Sequence, residues 1–310
     1  MALRAFIAAS LLVVAGFCRA QAFTVGDPSL VDGSATIYRV NLASRSVSVV
    51  GTAGNGGNGQ PIVAVGALTF SPTDNNLYAL ALTGASSPTL VTLNQSSGKA
   101  ATVSQVAGVA STLAKGLSLS FDCTGRLWMA SADSNNFWEL TPGTGQTRLV
   151  GNLGVKITGL AFRNGALWGV GGTGNANLYT IATDSGKATS VGAYGVAVST
   201  PVDAGFDAAG TLWALIRNYD GFNPPTQLNR LAQINLTTGA MTVAGTIAGP
   251  SSGSPLPETF QGLATAAPVC AADPSPPAVG APVLSLAGIG ALILSLLLAA
   301  LSPFSRRQLN

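Results

Sequence analysis

The 310-residue chain carries charge on only 9% of its positions, has a formal net charge of +3 and contains no histidine. Without imidazole, Ser–His and Cys–His nucleophiles and the commonest zinc ligand are excluded. No basic run occurs in the middle of the chain, so nucleic-acid binding has no electrostatic support. The 38 glycines and 47% hydrophobic residues suit short strands joined by turns rather than long helices with charged faces.

The first residues read as an export signal. Arg4 precedes an apolar run over residues 5–17, and Ala20-Gln21-Ala22 fits a small-x-small cleavage pattern. Residues 1–22 are therefore expected to be a signal peptide cut after Ala22, and residues 23–272 the folded domain. Phe17 stands where a lipoprotein signal needs a small residue before Cys18.

Within the domain one unit recurs. Its register is a Leu-aromatic pair: Leu77-Tyr78, Leu127-Trp128, Leu167-Trp168 and Leu212-Trp213, spaced by 50, 40 and 45 residues. Each pair follows a tight turn, and each turn follows a short apolar strand ending in Phe70, Phe121, Phe162 or Phe206. That is a β-hairpin pattern. A second hairpin follows each first one, around turns that carry Gly98, Gly145, Gly186 and Gly239. Residues 157–192 are the clearest copy. Four short strands in about 45 residues match a β-propeller blade.

Two partial units flank the four complete ones. Residues 37–51 look like a second hairpin without its first, and residues 259–265 like an inner strand without its partners. Together they make approximately one more blade, shared by the chain ends, which removes two open sheet edges. The expected fold is all-β, a propeller of five four-stranded blades closed by pairing of N- and C-terminal strands. A β-sandwich needs no such regular repeat, and a solenoid favours shorter periods.

Beyond residue 272 lies a Pro-rich linker over 273–282. Residues 283–301 follow, 19 positions without a charge and long enough to cross a bilayer as a helix. Arg306 and Arg307 lie in a basic tail over 302–310 and set a positive-inside orientation. Ala281-Pro282-Val283-Leu284-Ser285, the apolar segment and the two arginines resemble a bacterial C-terminal sorting signal of the IPTL-CTERM or VPVLS kind. That resemblance implies recognition by an exosortase-type membrane protease through Pro282, Val283, Leu284, Ser285, Arg306 and Arg307. It also implies an inner-membrane anchor with a periplasmic propeller, open to release or transfer to the cell surface. Residues 183–187, Thr-Asp-Ser-Gly-Lys, are similar to the turn of quinoprotein-like and NHL-like propeller repeats. No Trp follows this turn, so quinone binding and dehydrogenase activity are not carried over.

The chemistry-bearing residues are few. Trp128, Trp168 and Trp213 recur at one repeat position, which favours packing between blades over a ligand ring. Asp122, Asp133, Asp203, Asp207 and Asp220 form no Asp-x-Asp-x-Asp-Gly calcium loop, and most read as turn residues. Asp203 and Asp207 are the first pair to test for glycosidase-type chemistry. No cofactor or metal is expected. Cys123 and Cys270 remain after signal removal and suit a disulfide in an oxidising compartment, if the fold brings them within reach. Residues 218–225 interrupt the repeat, and Tyr219, Asp220 and Phe222 make them a candidate binding loop. Asn94-Gln95-Ser96 and Asn235-Leu236-Thr237 match glycosylation acceptors. The expected function is binding or scaffolding at the cell envelope, with an unidentified envelope ligand. The alternative is an extracytoplasmic lyase, lactonase or glycosidase using acids on one face.

Overall fold

A computed structural model describes residues 21–26, 35–57, 62–83, 87–110, 116–172, 174–198, 200–219, 227–248 and 260–270. Contacts divide the chain into Met1–Cys270 and Ala271–Asn310, and the second unit, with the expected linker, sorting motif and membrane-spanning segment, lies wholly outside the described residues. Among the described residues no helix is long and apolar enough to cross a membrane.

The first unit is an all-β propeller of five four-stranded antiparallel sheets. One blade holds β4 (Ala64–Phe70), β5 (Leu77–Leu82), β6 (Thr89–Leu93) and β7 (Ala100–Gln105). The next holds β8 (Leu117–Phe121), β9 (Leu127–Ser131), β10 (Asn136–Leu140) and β11 (Thr147–Asn152). A third is β12 (Ile157–Arg163), β13 (Ala166–Gly171), β14 (Asn177–Ile181) and β15 (Ala188–Ala193). The fourth is β16 (Thr200–Phe206), β17 (Leu212–Tyr219), β18 (Gln227–Ile234) and β19 (Met241–Thr246). The closing blade runs β20 (Phe260–Ala264), β1 (Gln21–Gly26), β2 (Thr36–Asn41) and β3 (Ser46–Thr52). The inner strands form a closed ring, with β4 against β8, β8 against β12, β12 against β16, β16 against β20 and β20 against β4.

The closing blade departs from expectation in one strand. Three strands come from the N-terminal side and one from the C-terminal side. The additional one is β1, which starts at Gln21, two residues before the expected domain boundary. It is hidden in the sequence because its residues adjoin the apolar run over residues 5–17 and no turn punctuation separates the two.

Register explains the repeated aromatic. Tyr78 stands opposite Thr69, Trp128 opposite Ser120, Trp168 opposite Ala161 and Trp213 opposite Gly205. In the closing blade Phe23 stands opposite Ala264 and takes the same place. Each of the five aromatics packs in or against the apolar cluster shared by its own blade and the next. Trp128, wholly buried, stacks on Phe137 at 5.3 Å. Leu119 and Phe121, on either side of Ser120, point to the opposite face of their blade, into the cluster shared with the preceding one. The hydrophobic core is thus five wedges between blades, and each aromatic fills one of them.

Between β12 and β13 the two-residue connection Asn164-Gly165 has φ of 49° and 81°. Two consecutive positive values define the type I′ hairpin, for which Asn-Gly is the favoured pair. Each outermost strand also bulges at one position, and in four of the five a glycine beside the bulge (Gly51, Gly151, Gly192 or Gly245) lies against the turn of the next blade. A Cβ on Gly151 would lie 2.1 Å from the Ser185 carbonyl oxygen, and one on Gly192 would lie 2.1 Å from that of Thr238. Ser104 takes the equivalent place in β7 and donates its hydroxyl to the Pro142 carbonyl at 2.6 Å. Gly151→Ala is expected to lower stability by about 1–3 kcal/mol, as overpacking does, whereas Gly143→Ala, whose Cβ would meet nothing within 4 Å, should leave the thermal melt near its original midpoint. Equal melts for the two variants would remove the steric account.

Candidate functional site

Thr69, Ser120, Ala161, Gly205 and Ala264, one from each inner strand, share the lining of one small cavity where the five inner strands meet. Two residues earlier on each inner strand stand Ala67, Ser118, Gly159, Asp203 and Gly262. Four of these five are small; Asp203 is the exception. Its carboxylate accepts the Leu263 N–H at 2.9 Å on Oδ2 and the Ala204 N–H at 2.9 Å on Oδ1, and it is also hydrogen-bonded by the Leu68 N–H. One side chain on β16 therefore ties together β20 and β4, the two inner strands that meet where the ring closes.

Asp203 is 1% exposed. Burial pushes its carboxyl well above the usual carboxylate range, and the N–H groups of Leu263, Ala204 and Leu68 pull it back only in part. Neighbouring backbone leaves no room for other side chains: a Cβ on Gly159 would lie 2.7 Å from the Ala204 nitrogen, and one on Gly262 2.8 Å from the Gly66 oxygen. Below this layer, a cavity of about 20 Å³ is lined by Thr69, Ser120, Phe162, Phe206, Ala266 and Pro268, among others. That is room for a water or two, not for an organic ligand. The Ser118 hydroxyl is buried without a hydrogen-bond partner.

The mouth at the C-terminal ends of the inner strands is crossed by residues 265–270. Thr265 donates its hydroxyl to the Phe206 carbonyl. The Val269 carbonyl accepts the Asn164 N–H at 3.2 Å. Cys270 is joined to Cys123, in the turn between β8 and β9, by a disulfide with Cα atoms 5.5 Å apart. The strap thus leaves the closing blade, passes two others and ends on the β8–β9 blade.

The remaining acids have local duties. On Oδ1, Asp122 accepts the N–H groups of Thr124 and Arg126 and the Thr124 hydroxyl. On Oδ2 it accepts the Arg126 guanidinium and the Trp128 indole N–H, each at 3.0 Å. Burial by itself raises its pKa, but the bonds from Thr124, Trp128 and Arg126 outweigh this and hold it below the usual range. Asp207 repeats the arrangement, accepting the Thr211 N–H and the Trp213 indole N–H, both at 2.8 Å. Asp203 and Asp207 are four residues apart on extended chain, about 13 Å, and serve separate partners, so they do not form a catalytic pair. Asp133 is exposed. Among the described residues no three His, Cys, Asp or Glu side chains converge as metal ligands.

Asp220 and Phe222 lie outside the described residues, as do Pro282, Val283, Leu284, Ser285, Arg306 and Arg307. Tyr219 ends β17, its backbone paired with Gln227. Asn94 and Asn235, in the glycosylation-like triplets, each accept two turn N–H groups on Oδ1. Those triplets are turn chemistry.

A family profile described as a repeat of unknown function, DUF6923, matches residues 55–255, about two thirds of the chain. The chain belongs to the DUF6923 family. The matched DUF6923 segment runs from the approach to β4 to beyond β19, so it takes in the four sequence-contiguous blades and omits the split one. No curated protein sequence matches the chain. One similar solved structure is a structural-genomics protein of unknown function from Bacteroides thetaiotaomicron, with 16% identity and a TM-score of 0.46 over 63% of this chain and 53% of that one. The chain spans about half the length of that protein. Another is the nidogen/laminin complex, with 11% identity and a TM-score of 0.48 over 79% of this chain and 97% of that one. Within the DUF6923 repeat, Asp203, which the sequence offers as a turn acid or as one of a catalytic pair, instead bonds the strands that close the ring. The available sign is its position, immediately before the Ala204-Gly205-Phe206 strand end, where Ser118 and Gly159 stand in other blades.

Proposed function

We propose that this DUF6923 propeller is exported to the cell envelope and acts there as a binding or scaffolding module through its outer surfaces. Residues 283–301 hold it at the inner membrane, with processing at Pro282-Val283-Leu284-Ser285 by an exosortase-type protease. The observation that carries the binding reading is the filled axis. Among the described residues the cavity between the inner strands is about 20 Å³, so recognition falls to faces and loops rather than to a central pocket. The rival reading, an acid-dependent enzyme, draws on the raised pKa of Asp203. Both oxygens of that carboxyl face backbone N–H groups, which places no proton-transfer partner beside it.

Fractionation of cells producing the full chain and a chain lacking residues 279–310 tests the anchor. The full chain is expected with the inner membrane, and the shortened one in the soluble periplasmic fraction. Membrane retention of the shortened chain defeats the anchor, and cytoplasmic recovery of both defeats export. Saturable co-sedimentation of the shortened chain with isolated envelope fragments is the expected result for a binding module; its absence removes that role.

A further inference from the structure

We infer that the leader is removed after Ala20, so that the mature chain begins at Gln21. This rests on the export reading above and fixes its processing site. Two overlapping small-x-small patterns that close on Ala end the leader, Cys18-Arg19-Ala20 and Ala20-Gln21-Ala22. Sequence alone does not separate them. The fold does.

β1 begins at Gln21, whose backbone is paired with Asn41, and Ala22 is paired with Val40. Ala22 is wholly buried in the cluster containing Tyr38, Val40, Leu215 and Phe260. A cut after Ala22 removes both residues from the strand and places a new α-ammonium on Phe23. That position is 1% exposed, and the Arg39 guanidinium already lies 5.7 Å over the Phe23 ring. An ammonium there would be both desolvated and close to a like charge. Phe23 is also the aromatic of the closing blade, the equivalent of Trp128. Fraying at its own nitrogen would loosen the wedge it shares with Phe70, 5.9 Å away. A cut after Ala20 keeps β1 whole and leaves the ammonium at the strand end, opposite the partly exposed Asn41.

The test is the N-terminal sequence of the exported full chain, read by mass spectrometry, beside a Cys18→Leu precursor. Cys18 is discarded on either account, so this variant leaves the folded product unaltered. It removes the small residue three positions before the first cut and leaves the second pattern intact. The expected result is a mature chain starting at Gln21, with a several-fold loss of that product in Cys18→Leu. A mature chain starting at Phe23, made equally from both precursors, overturns the inference while leaving export standing. A periplasm without the protein and a cell-associated chain still starting at Met1 overturn both.

Discussion

Cys270→Ser, or reduction of the native protein, is expected to lower the melting midpoint by about 5–15 °C, the equivalent of about 2–5 kcal/mol for a domain of this size. The disulfide spans a sequence separation of 147, and the chain-entropy model gives a closed loop of that length about 5 kcal/mol. The actual loss depends on how β20 behaves once freed. This strand has five residues and is hydrogen-bonded within its sheet only to β1. It is the last strand of the chain to join the ring, and strand ends fray first. With Cys270 untethered, β20 and the strap can lift together, carrying Leu263 away from Asp203. Amide exchange of Phe260, Leu263 and Ala264 should therefore accelerate in the Ser variant far more than exchange in β12 or β13. Cys270 is exposed, so the substitution itself disturbs little packing. Identical melts with and without reductant, together with free thiols in the purified protein, would show that the strap is not clamped.

What was readable in the chain was what each blade repeats locally. Leu127-Trp128 and Leu167-Trp168 announce their strands because apolar and small residues alternate around them, and Asn164-Gly165 specifies its turn through backbone conformation alone. The fifth blade was only half visible. Phe23 has no turn and no leucine before it, and β1 finds its two partners at β2 and at β20, more than 230 residues away. Residues of the axis were less legible still. Asp203 sits in a sequence that also suits a turn acid, and its meaning comes from N–H groups on β20 and β4. Such long-range geometry leaves no periodic trace. The pairing of Cys123 with Cys270 depended on the same kind of distance, set by how far a six-residue strap reaches across the mouth.

Asp203 supplies the second large effect. Asp203→Ala is expected to destabilise the propeller by about 2–5 kcal/mol, because it leaves the Leu263 and Leu68 N–H groups buried without acceptors. Asp203→Asn keeps one oxygen as acceptor but turns an NH2 toward the N–H that faced the other, a cost that does not vary with pH, so the pH dependence of the difference, not its size, reports the ionisation. The sign of the pH effect follows from the direction of the shift. The carboxyl of Asp203 is raised in the folded state above its ordinary value of 3.8, so between the two values the folded chain binds more protons than the unfolded one. Its contribution is complete below the unfolded value and is lost as pH climbs through the folded one. Asp122 and Asp74, held below the usual range although burial opposes it, act in the opposite sense and weaken the fold as pH falls. They are present in both proteins and cancel in a difference. The midpoint of the wild type minus that of Asp203→Asn should therefore be greatest near pH 4 and decrease steadily toward pH 8. A difference that is flat, or that grows with pH, would mean that the carboxylate is held ionised by its three N–H donors. In that case their combined attraction exceeds the cost of burial, and the closing strands are joined by a charge rather than by a neutral acid.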